Sequence, residues 1–277
     1  MSLRFDLGGE GESMKDNHVH TALSHDGRSS MREYLDAAAA KGVDEITFTE
    51  HYDLYDGVDT TLRTLDVEAY RETYRTQLHR RDVRTNFGIE IGLRPECKEK
   101  IQAMTEQNDF DFIIGSSHIT AGRDMSFDPV FFAGKTRHEA YQVYFREVLE
   151  NIRLFDDFDV YGHLDYVVRY GGYPEKSVRY DEFREVLEDI LGLLIEKGKG
   201  LEVNSSGYRY GLGSPHPNIE ILRRFREKGG RIVTIGSDAH QADQLASGIR
   251  EAEEILREAG FSEYVVFRER KPVFCHI

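Results

Sequence analysis

Only two cysteines occur in the 277 residues. Cys97 and Cys275 lie far apart and belong to no paired Cys motif, which leaves neither a disulfide framework nor a zinc ribbon. Any metal held by this chain must rest on imidazole and carboxylate. Apolar runs are short as well, none approaching the roughly 20 residues of a membrane helix, so no membrane span is expected. The opening MSLRFDLGGEGES has no basic start followed by a continuous apolar stretch and is not a secretory signal; a cytoplasmic location follows. Residues 1–14 read as a tail, its first residues in part an addition from cloning. Excess positive charge is missing too: a net charge of −14 opposes binding to a polyanion, whose affinity rests on a basic face that displaces counterions, and DNA or RNA is not expected as a partner. A small phosphorylated substrate survives that exclusion, because divalent cations and one or two arginines reverse the local field. No Pro- or Ser-rich linker, repeat or low-complexity segment divides the chain, so residues 15–277 read as one domain.

What is present is an ordinary globular composition, 39% hydrophobic and 31% charged, arranged in alternation. Short apolar, β-rich segments fall around 15–20 and at 45–51, 86–92, 110–118, 158–163, 200–206 and 231–240. Helical periodicity fills 30–42, 66–81, 138–155, 181–198, 218–230 and 243–260. Strand followed by helix, repeatedly, implies parallel pairing and an α/β barrel. Gly42, Gly198 and Gly229/Gly230 stand directly before strands, where a left-handed residue commonly ends a helix. The segment 262–274 reads as a final strand pair or tail packed outside the barrel.

Nearly every expected strand ends on a metal-ligand residue type: His18/His20, Glu50/His51, Glu90, His118, His163, Asn204 and Asp238/His240. When parallel strands close around an axis their C-terminal ends converge on one face, so these scattered residues become neighbours. Side chains at i and i+2 of a strand share a face, so HxH at 18/20 and DxH at 238/240 each offer two inward ligands. Glu90 sits inside the apolar segment NFGIEIG, where an unpaired carboxylate costs several kcal/mol to desolvate. Either a basic side chain or a divalent ion bridged by its two oxygens must meet it. His118 and His163, taken singly, are ordinary core or loop histidines; their shared position at strand ends changes that reading. Glu50 either pairs a base or a substrate amine, or is a supporting or surface carboxylate. In SHDG, local chemistry does not choose between His25 and Asp26. His79, His138, His216 and His276 receive no role. Such His/carboxylate sites accept zinc, iron and manganese.

These motifs, in this order, resemble the polymerase and histidinol phosphatase (PHP) superfamily over about residues 15–275. The resemblance implies a distorted seven-stranded β/α barrel, (β/α)7, with two or three divalent metals. The stretches LEVNSSGYRYGLGSPHPNIEIL, GSDAH and FDVYGHLDYVVRYGG resemble its histidinol-phosphate phosphatase branch. Carried over by position, the family implies one metal on His18, His20, Glu90 and Asp238, a second on Glu90, His118 and His163, and a third on Asp26, His51 and His240. It also implies a phosphate grip by Arg169 and Arg209, whose planar forks of donors match phosphate oxygens. The implied reaction is hydrolysis of a phosphate monoester by a metal-bridging hydroxide held at Glu90, with L-histidinol phosphate, in histidine biosynthesis, as the favoured substrate. The alternatives are a broader phosphoesterase, an amidohydrolase-type barrel, against which Glu90 and the final DxH both speak, and a non-catalytic metal-stabilised module.

Overall fold

The computed structural model describes residues 14–54, 64–77 and 82–277. The expected tail before Met14, the last four positions of the expected helix 66–81 and His79 lie outside the described residues. Seven strands form one sheet in sequence order: β1 Met14–Val19, β2 Val43–Tyr52, β3 Arg84–Gly92, β4 Phe112–Ser116, β5 Val160–Tyr161, β6 Gly200–Asn204 and β7 Val233–Gly236. Every neighbouring pair is parallel. The ring closes just beyond β7, where Val19 bridges Ala239 in parallel. There the His20 amide donates to the Ala239 carbonyl and the Asp238 amide to the His18 carbonyl, both at 2.8 Å. The expected distorted β/α barrel is therefore the architecture found, with closure confined to its C-terminal mouth.

The helices between strands carry their own start and stop signals. α1 (Met31–Lys41) opens on a Ser30/Glu33 capping box and ends on Gly42 at φ 68°, a conformation costly for residues with a Cβ. α2 spans Val67–Gln77, α3 Lys98–Glu106 and α4 Arg137–Leu154; α4 starts on a Thr136/Glu139 capping box. α5 spans Arg184–Glu196, α6 Ile219–Glu227 and α7 Ile249–Glu258. The sequence reading has no counterpart of α3, because KEKIQAMTE buries only Ile101, Met104 and Thr105 and so presents too thin an apolar stripe. α7 is shorter than the expected 243–260, since Gly248 at φ 77° interrupts the chain before it. Among the described residues no helix is long and apolar enough to cross a membrane.

The C-terminal segment corrects one expectation. β8 (Glu263–Arg268) and β9 (Lys271–His276) form an antiparallel hairpin, and its inner face does not merely lie outside the barrel. Val265 and Phe267 cluster with Phe112, Ile114 and Val160, which belong to the inward face of the ring: Ser116, two residues beyond Ile114, reaches Glu90 from that face at 2.7 Å. Arg268 pairs with Glu45 at the start of β2, and Arg270 with Asp159 just before β5, each at 2.7 Å. The hairpin is thus a floor at the N-terminal end, covering apolar interior that would otherwise face water. The charged half of the interior is left at the opposite mouth.

Candidate metal centre

Glu90 is fully buried near the C-terminal end of β3 and organises everything around it. Its Oε2 lies 3.3 Å from His18 Nε2 and 3.4 Å from His20 Nε2, the two inward residues at the end of β1. The same oxygen lies 2.9 Å from His51 Nδ1, at the end of β2. Its Oε1 lies 2.9 Å from His163 Nε2 and 3.3 Å from His118 Nε2. Asp238, just past β7, places Oδ1 3.8 Å from His18 and 3.6 Å from His20. Asp26 reaches His51 Nε2 at 3.7 Å and His240 Nε2 at 3.2 Å. Residues from 18 to 240 therefore meet at one barrel mouth, and both members of the pair left open in SHDG reach it: Asp26 through its carboxylate, and His25 through its ring, 5.6 Å from that of His51.

The arrangement fits cations. Glu90 Oε2 and His51 Nδ1, both buried, stand 2.9 Å apart without the alignment of a hydrogen bond, although buried polar atoms are rarely left so. His18 Nε2 and His20 Nε2 point at each other across 2.8 Å. Three overlapping trios bring ligand atoms close enough for one ion: His18/His20/Glu90, His51/Glu90/His118 and His20/His51/His240. Without cations, protons fill the gap. Burial works to lower His18 and His118, but the facing carboxylates, Glu202 and Glu90 for the first and Asp53 and Glu90 for the second, hold both well above the ordinary imidazole value. His51 is likewise raised against burial, to about 9, by Glu90 and Asp26. His20 goes the other way, depressed by burial and by His51, His240 and His18. Burial opposes ionisation of Glu90 and Asp238, yet the surrounding histidines, with Arg169 at Asp238, hold both well below the usual carboxylate range.

A supporting layer escaped the sequence reading. His18 Nδ1–H donates to Glu202, a buried residue of β6 that also accepts the His163 amide at 2.8 Å and the Asn204 amide group at 3.1 Å. His118 Nδ1–H donates to buried Asp53 at 3.0 Å. Such bonds fix tautomer and ring direction. Glu202 carries the same signal as Glu90, a carboxylate inside an apolar strand (GLEVN). Asp53 follows β2 with no pattern to mark it. Glu50 turns away from the histidines: it accepts from the Thr21 amide at 3.0 Å and from the Thr21 hydroxyl at 2.6 Å, shaping the turn that carries Asp26. Asn204 serves Glu202 and Ser206.

The two arginines stand differently. Arg169 lines the cleft above Glu90, together with His25, Asp26, Tyr166, Tyr170 and Tyr210. It donates to Ser206 Oγ at 2.6 Å and Asp238 Oδ2 at 3.2 Å, and it lies 4.9 and 4.4 Å from the Tyr166 and Tyr210 ring centres. His216, given no role from sequence, accepts from Arg169 Nε at 3.1 Å and meets Asp165 at 2.5 Å. Arg209 is not among the residues that line the cleft. Its two Nη atoms donate to the Ser237 and Asp238 carbonyls, each at 2.7 Å, and so hold Asp238 in the left-handed conformation, φ 54°, that costs a β-carbon residue about 1–2 kcal/mol.

A parallel β/α barrel with a histidine and carboxylate cluster gathered at its C-terminal mouth has the build of a barrel metallohydrolase. The chain belongs to the PHP domain family, whose model matches residues 16–206. It is 33% identical over 263 residues to the histidinol-phosphatase of Lactococcus lactis subsp. lactis, covering 92% of this chain and 95% of that one. To the histidinol-phosphatase of Bacillus subtilis it is 26% identical, covering 83% and 95%. The crystal structure of the Lactococcus lactis histidinol phosphate phosphatase, complexed with zinc, L-histidinol and phosphate, superposes with a TM-score of 0.85 at 31% identity, over 94% of this chain and 99% of that one.

Proposed function

We propose that this protein is a metal-dependent phosphatase that hydrolyses L-histidinol phosphate to L-histidinol and inorganic phosphate. One observation carries the reading: a cationic arginine, Arg169, opens onto the same cleft as the Glu90-centred cluster. Similarity to the Lactococcus lactis enzyme over nearly the whole chain then supports the choice of ester.

His18, His20, Glu90 and Asp238 would hold one divalent ion, Glu90, His118 and His163 a second, and Asp26, His51 and His240 a third. Zinc, iron or manganese suits such a donor set. When bound, these ions supply Lewis acidity toward phosphoryl oxygens and acidify water. The protein supplies position and charge. Arg169, which Asp238 helps to keep protonated although burial opposes its charge, presents a fork of donors to phosphate oxygens. Glu202 and Asp53 keep His18 and His118 pointed inward. Hydrolysis adds water across the ester: its oxygen bonds phosphorus as the ester oxygen departs in line, and the departing alkoxide takes a proton. We read residues 15–277 as one catalytic unit acting in the cytoplasm on a small ester, and the net charge of −14 sets nucleic acid aside as substrate.

The test is steady-state kinetics on L-histidinol phosphate and p-nitrophenyl phosphate after reconstitution with each metal. A large preference for the former is expected; equal kcat/KM values on both esters would reduce the protein to a general phosphoesterase. Arg169→Met should raise KM for both esters about 100-fold, the effect of losing a charge-assisted pair of bonds.

A further inference from the structure

A guanidinium carries five N–H groups, and Arg169 commits most of them inside the protein. Nε donates to His216 Nε2 at 3.1 Å, and Nη2 donates to Ser206 Oγ at 2.6 Å and to Asp238 Oδ2 at 3.2 Å. Among the described residues Nη1 has no acceptor, so it is the nitrogen left for an ester in the cleft. The rings of Tyr166 and Tyr210 flank the guanidinium, but attraction to a ring face holds a cation close without deciding which way it turns. Asp238 pulls it one way, because guanidinium and carboxylate readily form two parallel bonds. A full turn toward Asp238 would withdraw Nη1 from the cleft and cover the oxygen, Oδ1, that faces His18 and His20. The bond from Nε to His216 opposes that turn.

His216 is itself tightly held. Its amide donates to the Asn204 carbonyl at 2.8 Å and its carbonyl accepts from the Asn204 amide at 2.7 Å, which fastens it to the end of β6. The side chain is fully buried, and behind it buried Asp165 meets Nδ1 at 2.5 Å. An ionised carboxylate only accepts and a guanidinium only donates, so the ring between them is kept in one form, with the proton on Nδ1 and the lone pair on Nε2. We propose that Asp165 and His216 are positioning residues for Arg169: the carboxylate sets the imidazole, and the imidazole holds the Nε edge so that Nη1 stays turned toward the phosphate of the ester and off Asp238. The inference rests on the function proposed above and extends it to two side chains, neither of which lines the cleft. They act as the carboxylates behind metal-binding histidines do, through orientation alone.

The test is a double-mutant cycle on the metal-saturated enzyme, with His216→Leu and Arg169→Met made singly and together. The readouts are KM for L-histidinol phosphate and for p-nitrophenyl phosphate, and Ki for inorganic phosphate. His216→Leu keeps a buried apolar side chain but offers Arg169 no acceptor, and all three constants should rise about 10-fold. In the double variant nothing remains to be positioned, so the constants should match those of Arg169→Met alone. His216→Gln, whose Oε1 can accept from Arg169 Nε, should recover most of the loss. Unchanged constants in His216→Leu, effects that add in the double variant, or no recovery with glutamine each overturn the positioning role and leave the phosphatase reading intact. Failure of the metal-loaded native protein on both esters would instead overturn the phosphatase reading. Should His216→Leu not fold, the imidazole nitrogen NMR spectrum of the native protein decides: a proton on Nδ1 with Nε2 bare supports the assignment, and a proton on Nε2 refutes it.

Discussion

Glu90 faces five imidazoles within 3.4 Å of its two oxygens, so removing its charge touches every proposed ion position that shares it. Glu90→Gln should lose more than one equivalent of metal by elemental analysis, whereas a ligand to a single ion would cost at most one. Full retention would remove Glu90 from the centre. Glu202→Gln tests the layer behind it. The variant keeps the volume but replaces the anion that accepts from His18 Nδ1, and metal affinity should fall about 10- to 100-fold with the fold intact by circular dichroism. Glu90 was legible in the sequence because a carboxylate amid NFGIEIG has no structural excuse. Glu202 in GLEVN has the same signature, but Asn204, two residues on, occupies the strand end and masks it. Arg169 and Arg209 look alike in VVRYG and GYRYG, and only coordinates separate the one that opens onto the cleft from the one that fastens main chain.

The elements are spaced so tightly at the mouth that one strand has to omit its side chain. A β-carbon on Gly236, the last residue of β7, would stand 2.3 Å from His18 Cβ and 2.8 Å from Glu202 Oε1, below any real contact. Gly236→Ala should therefore displace His18 and its partner, costing about 1–3 kcal/mol of stability and, more tellingly, metal content. Wild-type metal stoichiometry in a folded Gly236→Ala protein would show that β1 and β7 have room to spare. At this scale the alternation of strand and helix is legible because seven β-rich segments alternate with six of period 3.6, with glycine punctuation. α3 was hidden by its thin apolar stripe. The floor hairpin reads as strands, but nothing in SEYVVFRERKPVF says which surface its alternate apolar residues cover; Val265 and Phe267 find theirs only once the barrel interior exists.

Across the whole molecule the same cluster that awaits cations makes the metal-free protein sensitive to alkali. His18, His51 and His118 titrate higher in the folded state than the ordinary 6.5, with His51 at about 9. A folded state that binds protons more tightly than the unfolded chain is stabilised by them fully below pH 6.5, and it loses that stabilisation as pH rises through the folded value. His20 and His163 are shifted downward, so they act only below pH 6.5 and do not offset the trend. Between pH 6.5 and 9 the chelator-treated protein should thus lose stability, His51 alone contributing on the order of 3 kcal/mol. Thermal unfolding with excess chelator should show Tm falling across that window. With zinc or manganese present the sign reverses, because cations displace those protons and bind better as pH rises, which stabilises the state that holds them. The two Tm curves should diverge steadily toward pH 9. A metal-free Tm that stays level through the window would mean that these imidazoles are already neutral at pH 6.5, and that the carboxylates around them are not what holds the empty mouth together.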